Sequence, residues 1–332
     1  MRDDLPRRRT AFCVNGARRT DRHTCAAGVH LPRRRSIRGA LASGHYTPLA
    51  GSPVIRRDYR FHDGSSGWAL ISQIEHARIS AQLAEACTGR FAEPPLAAVR
   101  SQVLAAIACH DDGWAPWEAS PRLHDHSRRP VSFMELEPDE ALAVWSRSID
   151  EATRHGPLAA WMVAGHFCRL LDVHSPAAVR GPRTVAWYDG MQRRRATWLT
   201  DWRAVDDSLH TPSLAAEALQ WLWTFDEASL WFCCSCPSQG ESAALGGKRF
   251  TAGKGTPVEM QLFATGFHGP GRPKQSGFAA AAPWRFASDA IDVEASVRVV
   301  PAVGYDDAAA LLTASRPRTL RWRLTCDQPC PS

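Results

Sequence analysis

From Gln73 to Phe232, apolar residues return every three or four positions, the period of a helix with one buried face. The pattern predicts helices over Gln73–Thr88, Leu96–Asp111, Pro138–His155, Pro157–Val173, Arg183–Asp206 and about Ser213–Phe232. Pro138 and Pro157 suit a first turn, where a missing N–H breaks no helical hydrogen bond, and Ser213 follows Pro212 as a start signal. On either side the period changes. Val54–Arg60 and Gly67–Ser72 are rich in strand formers and flank His62-Asp63-Gly64-Ser65-Ser66, which is strong turn chemistry, so a β-hairpin is expected. Strand-like runs return at Ile291–Val300 and Leu320–Thr325, placed to pair with that hairpin. A long loop, Asp112–Glu137, follows the second helix. Residues 237–280 are Gly- and Ser-rich with few large apolar side chains and read as a flexible insert. The expected fold class is mainly α, a helical bundle with a small β-sheet formed by the N-terminal hairpin and the C-terminal strands.

Residues 1–52 show no hydrophobic period and are rich in Arg, Pro and Gly. They are expected to form a disordered tail or to lie upstream of the true start; a nucleic-acid-binding arm and a mitochondrial-type presequence are the other readings. Residues 53–326 are expected to form one domain. Residues 1–50 hold eleven Arg and three Asp, so they carry +8 where the whole chain carries +6, and the remainder carries −2. The body thus gives no electrostatic reason to expect nucleic acid as a partner. No run of about 18 apolar residues suggests a membrane span, and no apolar signal core opens the chain, so the cytoplasm is the expected compartment. Cys233, Cys234 and Cys236 lack the usual zinc spacing and read as structural, as do Cys87, Cys109 and Cys168 within helical patterns.

The candidate chemistry lies where ionisable residues fall on apolar stripes. His76 precedes Ile79 and Leu83 by three and seven residues. His110 follows Val103 by seven, and Asp111 follows Leu104 by seven. His166 sits between Met162 and Leu170, and Asp226 between Leu222 and Leu230, four residues from each. A buried isolated carboxylate is costly, and neutral imidazoles do not offset it without a cation. A divalent metal (Mn, Fe, Zn or Mg) supplies that cation; two separate hydrogen-bonded His–Asp pairs in a helical core are the alternative. Asp112, next to a candidate ligand, could support that ligand from behind or activate water as a base, and Glu75, beside His76, could orient a ligand, serve as the base or simply be solvated. Trp114 and Trp117 could wall a pocket or pack as a lid. Gly113 would let the helix end directly after the ligand pair. Arg128 and Arg129 could meet a phosphate or the solvent.

One His, a His-Asp pair 34 residues later and a distant Asp resemble the ordering in HD-domain proteins, helical metal proteins that are mostly phosphohydrolases. That resemblance implies His76, His110, Asp111 and Asp226 as ligands, with His166 as an additional one. It also implies an HD-like bundle. The runs Gly67–Gln73, His110-Asp111-Asp112-Gly113-Trp114, Arg129–Phe133 and Pro283-Trp284-Arg285-Phe286 resemble domain-of-unknown-function family 3891 over about residues 54–325, with Arg285 where Pro is usual. The family has no established activity. Three functions stand open: a metal-dependent hydrolase of a small phosphorylated molecule, a non-haem iron oxygenase, and a non-catalytic binding or sensor module with a buried His–Asp network.

Overall fold

The computed structural model describes residues 54–175, 177–239, 249–252, 260–267, 275–283 and 285–326. The expectations for residues 1–52 and for Trp284 lie outside them. The predicted hairpin forms from β1 (Ile55–Arg60) and β2 (Ser66–Ile71), paired antiparallel. Its turn relies on Gly64 at φ +83° and on Asp63, whose carboxylate accepts the Ser65 N–H at 2.8 Å. The helices are α1 (Gln73–Ala86), α2 (Leu96–Cys109), the single turn α3 (Ala115–Glu118), α4 (Pro138–Ala152), α5 (Pro157–His174), α6 (Pro182–Val205) and α7 (Pro212–Cys234). Proline opens α4, α5, α6 and α7, and the Thr211 side chain caps α7 by accepting the Leu214 N–H at 3.2 Å. The remaining elements are β3 (Arg249–Ala252), β4 (Met260–Phe267), β5 (Gln275–Ala282), β6 (Ala290–Pro301), α8 (Ala308–Ala314) and β7 (Arg316–Cys326).

The mainly α, HD-like architecture is not what the chain adopts. The helices rest on a seven-stranded mixed sheet of order β1-β2-β6-β7-β5-β4-β3, antiparallel except between β5 and β7. The expected junction of hairpin and C-terminal strands is present as β2 against β6. The enlargement comes from β3, β4 and β5, which arise in the segment read as a flexible insert. Their inward positions include Ala279 and Ala281, which are buried but too small to stand out in a hydrophobicity pattern. On β6 the alternation is plain: Ile291, Val293, Ala295, Val297 and Val299 join the core, while Asp292, Glu294 and Ser296 face out. One apolar core runs from this face through Ile79 and Leu83 of α1 to Phe225 and Phe232 of α7. Helix α5 touches α2, α4, α6 and α7, and every residue from Leu158 to Cys168 is buried. At the end of α7, Cys233 and, just beyond the helix, Cys236 are buried, Cys234 is exposed, and Arg57 donates to the Phe232 and Cys236 carbonyls at 3.1 Å.

Helix α1 also completes the sheet. β2 stops pairing with β6 at Ile71 opposite Val297, so among the described residues the β6 backbone from Ser296 toward Asp292 has no strand on that side. Three side chains of α1 take its place. Glu75 accepts the Ser296 N–H at 2.6 Å, Arg78 donates to the Glu294 carbonyl, and Gln82 donates to the Asp292 carbonyl at 2.8 Å. Positions 75, 78 and 82 form one stripe of a helix, and 296, 294 and 292 are the alternate residues whose backbone points to that edge. Glu75→Ala should therefore cost about 1–3 kcal/mol of stability in chemical denaturation, because a charged acceptor is removed from a backbone donor. Stability within about 0.5 kcal/mol of wild type would show that this contact does not hold the seam.

Candidate metal centre

Three helices bring four of the sequence-selected residues together. His76 lies in the first turn of α1, His110 and Asp111 directly follow α2, and Asp226 is central in α7. All four are buried, and one potential ligand atom from each lies within 4.8 Å of the others. Asp226 Oδ1 is 2.9 Å from His76 Nε2 and 3.2 Å from His110 Nε2. Asp111 Oδ2 is 3.7 Å and 3.4 Å from the same two nitrogens.

The far side of each ring fixes which nitrogen carries hydrogen. His110 Nδ1 is 2.7 Å from the Ile107 carbonyl, which can only accept, so Nδ1 is protonated. The Ser229 hydroxyl is 2.9 Å from the Asp226 carbonyl and donates to it, so the hydroxyl accepts from His76 Nδ1 at 2.7 Å. The Ser80 hydroxyl lies 2.7 Å from that of Ser229 and 3.2 Å from the His76 carbonyl. With the rings neutral, both Nε2 atoms would therefore present lone pairs toward the two carboxylates. Such outer partners are what orient histidine ligands in metal sites. Asp111 is aimed in the same way: Trp114 Nε1 donates to its Oδ1 at 3.2 Å, leaving Oδ2 toward the histidines.

The electrostatics call for a positive charge at this point. Burial disfavours charging His110, yet Asp111 and Asp226 together raise its pKa to about 9. For Asp226 burial would raise the pKa, but His166, His110 and His76 outweigh it and hold the carboxyl well below its usual range. Asp111 is raised, because burial exceeds the pull of the two histidines. Without a metal, the cluster holds a proton where a cation would sit.

His166 comes close without joining the group. Its ring centroid is 5.5 Å from that of His110 and 5.4 Å from that of Trp223. It is buried, burial lowers its pKa to about 4, and among the described residues its Nδ1 has no hydrogen-bond partner. Asp112 is half-buried, and burial raises its pKa to about 6 against the opposing pull of His110 and His155. Glu75 points to β6, as described above. Gly113 is explained by a close approach: a Cβ there would lie 2.2 Å from the Ser148 nitrogen and 2.5 Å from the Val144 carbonyl of α4. Trp114 packs edge-on to Trp117, with centroids 5.9 Å apart. Arg129 pairs with Glu135, and Arg128 donates to the Tyr305 carbonyl at 3.2 Å, so both serve the loop structure. His210, a later histidine of the chain, stacks on Trp202 at 4.2 Å.

Sequence reasoning missed Ser80, Ser229 and Glu118. The serines were within reach, lying four residues after His76 and three after Asp226 on the same helix faces. Glu118 gave no such signal. It is buried on α3, and its carboxylate accepts the Ser72 hydroxyl and, at 2.7 Å, the Gln73 N–H at the start of α1. Burial outweighs these bonds and pushes its pKa from 4.5 up to about 7. The folded value is the higher one, so the folded chain binds more protons between them. This group's contribution is best below about pH 4.5, declines as pH rises and is level above about 7. Glu118→Gln keeps an acceptor and should remove that decline, worth as much as about 3 kcal/mol. Denaturation midpoints at about pH 5 and pH 8 would show it, and an unaltered pH dependence would refute it.

The fold and site define a class: an α/β protein with a buried two-histidine, two-aspartate group able to hold a metal ion. The family model described as "Protein of unknown function (DUF3891)" matches residues 61–302, and the chain belongs to that family. No curated protein matches it. No solved structure matches it either. Among the described residues, no helix is long and apolar enough to cross a membrane.

Proposed function

We propose that the protein is a metal-dependent hydrolase in which His76, His110, Asp111 and Asp226 hold one divalent ion, acting on a phosphate ester such as a nucleotide. The observation that carries this reading is the commitment of both Nδ1–H groups to acceptors behind the rings, which leaves two Nε2 lone pairs facing two carboxylates. With both rings neutral and both carboxylates charged, that arrangement is repulsive until a proton or a metal ion sits among the four groups. Two imidazole nitrogens and carboxylate oxygens suit Zn, Mn or Fe, with Mg a weaker match to the nitrogens. Such an ion, when bound, polarises an ester oxygen and acidifies water. The chain's own part is to aim the ligands through Ile107, Ser229 and Trp114. Asp112, raised to about 6 beside the ligand pair, supports a role in accepting a proton near neutral pH. Glu75 is engaged at the β6 edge and is not used.

One observation favours a second reading, a binding or sensor module. All four ligands are buried, and four protein ligands complete a closed tetrahedral site of the structural kind. The iron oxygenase needs a second ion, and among the described residues no further group of three or more ligand residues occurs.

Metal analysis of the purified protein tests the centre, with one divalent ion per chain expected. Loading at pH 7 should release about one proton, because His110 titrates near 9 and must lose its proton to bind. Apparent affinity should then rise with pH up to about 9, which calorimetry in buffers of different ionisation enthalpy reads directly. Protein that takes up no ion rejects the centre. Loaded protein that cleaves neither phosphomonoesters nor phosphodiesters rejects the hydrolase and leaves the module.

A further inference from the structure

His166 is a buried histidine beside the centre that the four-ligand arrangement leaves unused. It lies in the stretch of α5 that is buried without a break, Leu158 to Cys168, where a nitrogen with no partner among the described residues is costly. Its neighbours cannot satisfy that nitrogen. His110 meets it edge-on at 76°, Phe167 packs at 5.2 Å, and Trp223 packs at 5.4 Å with its rings tilted. An apolar residue would fill the space as well without the orphaned atom, so the ring calls for a partner from outside the chain. The charge around it says which kind. A divalent ion would neutralise Asp111 and Asp226. Arg169, one turn along α5, then adds a positive charge, its guanidinium 4.1 Å from the centroid of the same Trp223 ring that packs on His166. Gln220 holds that guanidinium at 2.8 Å, and Glu227 offsets part of its charge.

We infer that His166 is a binding residue for a small oxyanion held at the metal centre: its Nδ1 hydrogen-bonds an oxygen of the ligand, it does not ligate the metal, and Arg169 favours the ligand's negative charge. This rests on the metal centre proposed above and names the class of group that centre receives. The ligand chemistry is that of phosphate, free or as the head of an ester.

The test uses the full chain loaded with Co(II), with inorganic phosphate as the probe and the visible d–d bands as the readout. Wild type should bind one Co(II) and shift its bands on adding phosphate. His166→Phe keeps an aromatic ring among aromatic neighbours, so it should keep the metal stoichiometry and lose at least about tenfold in phosphate affinity. His166→Asn keeps a polar atom near the position of Nδ1 and should retain affinity within about threefold, which a purely packing role would not produce. Arg169→Gln should weaken phosphate without changing metal content. Reduced Co(II) in both His166 variants would make His166 a ligand and overturn the inference. Unchanged phosphate affinity in His166→Phe would make it a core histidine and overturn it too. Should His166→Phe not fold, as judged by circular dichroism, the Asn variant decides: a loss of tenfold or more there counts against the Nδ1 assignment. Absence of Co(II) from folded wild type would instead reject the centre itself, and this inference with it.

Discussion

Asp226→Asn should lose at least about 100-fold in divalent-metal affinity, measured by competition with a chromophoric chelator. Asp226 is the hub of the cluster, since its Oδ1 stands within hydrogen-bond distance of both histidine Nε2 atoms. The amide keeps the shape but removes the negative charge, and its oxygen is a poor ligand for a borderline metal. Altering groups that merely support ligands commonly costs 10–100-fold, so losing a ligand should exceed that range. The chelated variant should also be less stable than chelated wild type near neutral pH. His110 holds its proton there because Asp111 and Asp226 flank it, and removing one partner leaves buried charge less compensated, a change on the order of 3 kcal/mol. A variant that bound metal as tightly as wild type would remove Asp226 from the centre.

Gly113→Ala should destabilise the fold by roughly 3 kcal/mol or more and disturb metal binding as well. The added methyl would stand 2.2 Å from the Ser148 nitrogen and 2.5 Å from the Val144 carbonyl, both backbone atoms of α4 that no rotamer change can move. Overpacking of this kind ordinarily costs about 1–3 kcal/mol, and contact with backbone on both sides places this site at the upper end. The Gly113 N–H also donates to Ser148 Oγ at 3.1 Å, and Arg147 donates to the Gly113 carbonyl at 3.1 Å. The segment pinned there begins two residues after Asp111, so pushing it from α4 moves a ligand. Denaturant midpoints with and without metal check both parts. Stability within about 0.5 kcal/mol of wild type would mean that α4 yields easily.

What the sequence disclosed depended on side-chain size and helical period. The four metal-ligand candidates were legible because each is a polar residue on a stripe of large apolar ones, and a stripe that becomes core takes its exceptions with it. Adjacency in sequence misled in the opposite sense. Glu75 is beside His76 in the chain, but neighbouring helix positions face about 100° apart, and that turn points it at β6. Gly113 was read as a helix stop, whereas contact with a helix distant in sequence explains it; no local pattern encodes such a contact. The HD-like ordering of ligands carried no information about what lies on the other side of the helices. There the sheet was hidden in part by strands built on alanine, and α8 by its brevity. Glu118 is a single acidic residue in a long connection, with nothing nearby to mark it as buried.

The seam between α1 and β6 has a bearing on how the protein avoids misassembly. An open strand edge is a template on which another chain can add a strand, and natural sheets guard such edges with charge, bulges or cover. Here the guard is a single helix, whose Glu75, Arg78 and Gln82 occupy the groups an incoming strand would use. The same helix carries His76 on its inner face, so a bound ion would anchor it from within. Were the proposed centre loaded, removing its ion would loosen that cover and open β6 to self-association.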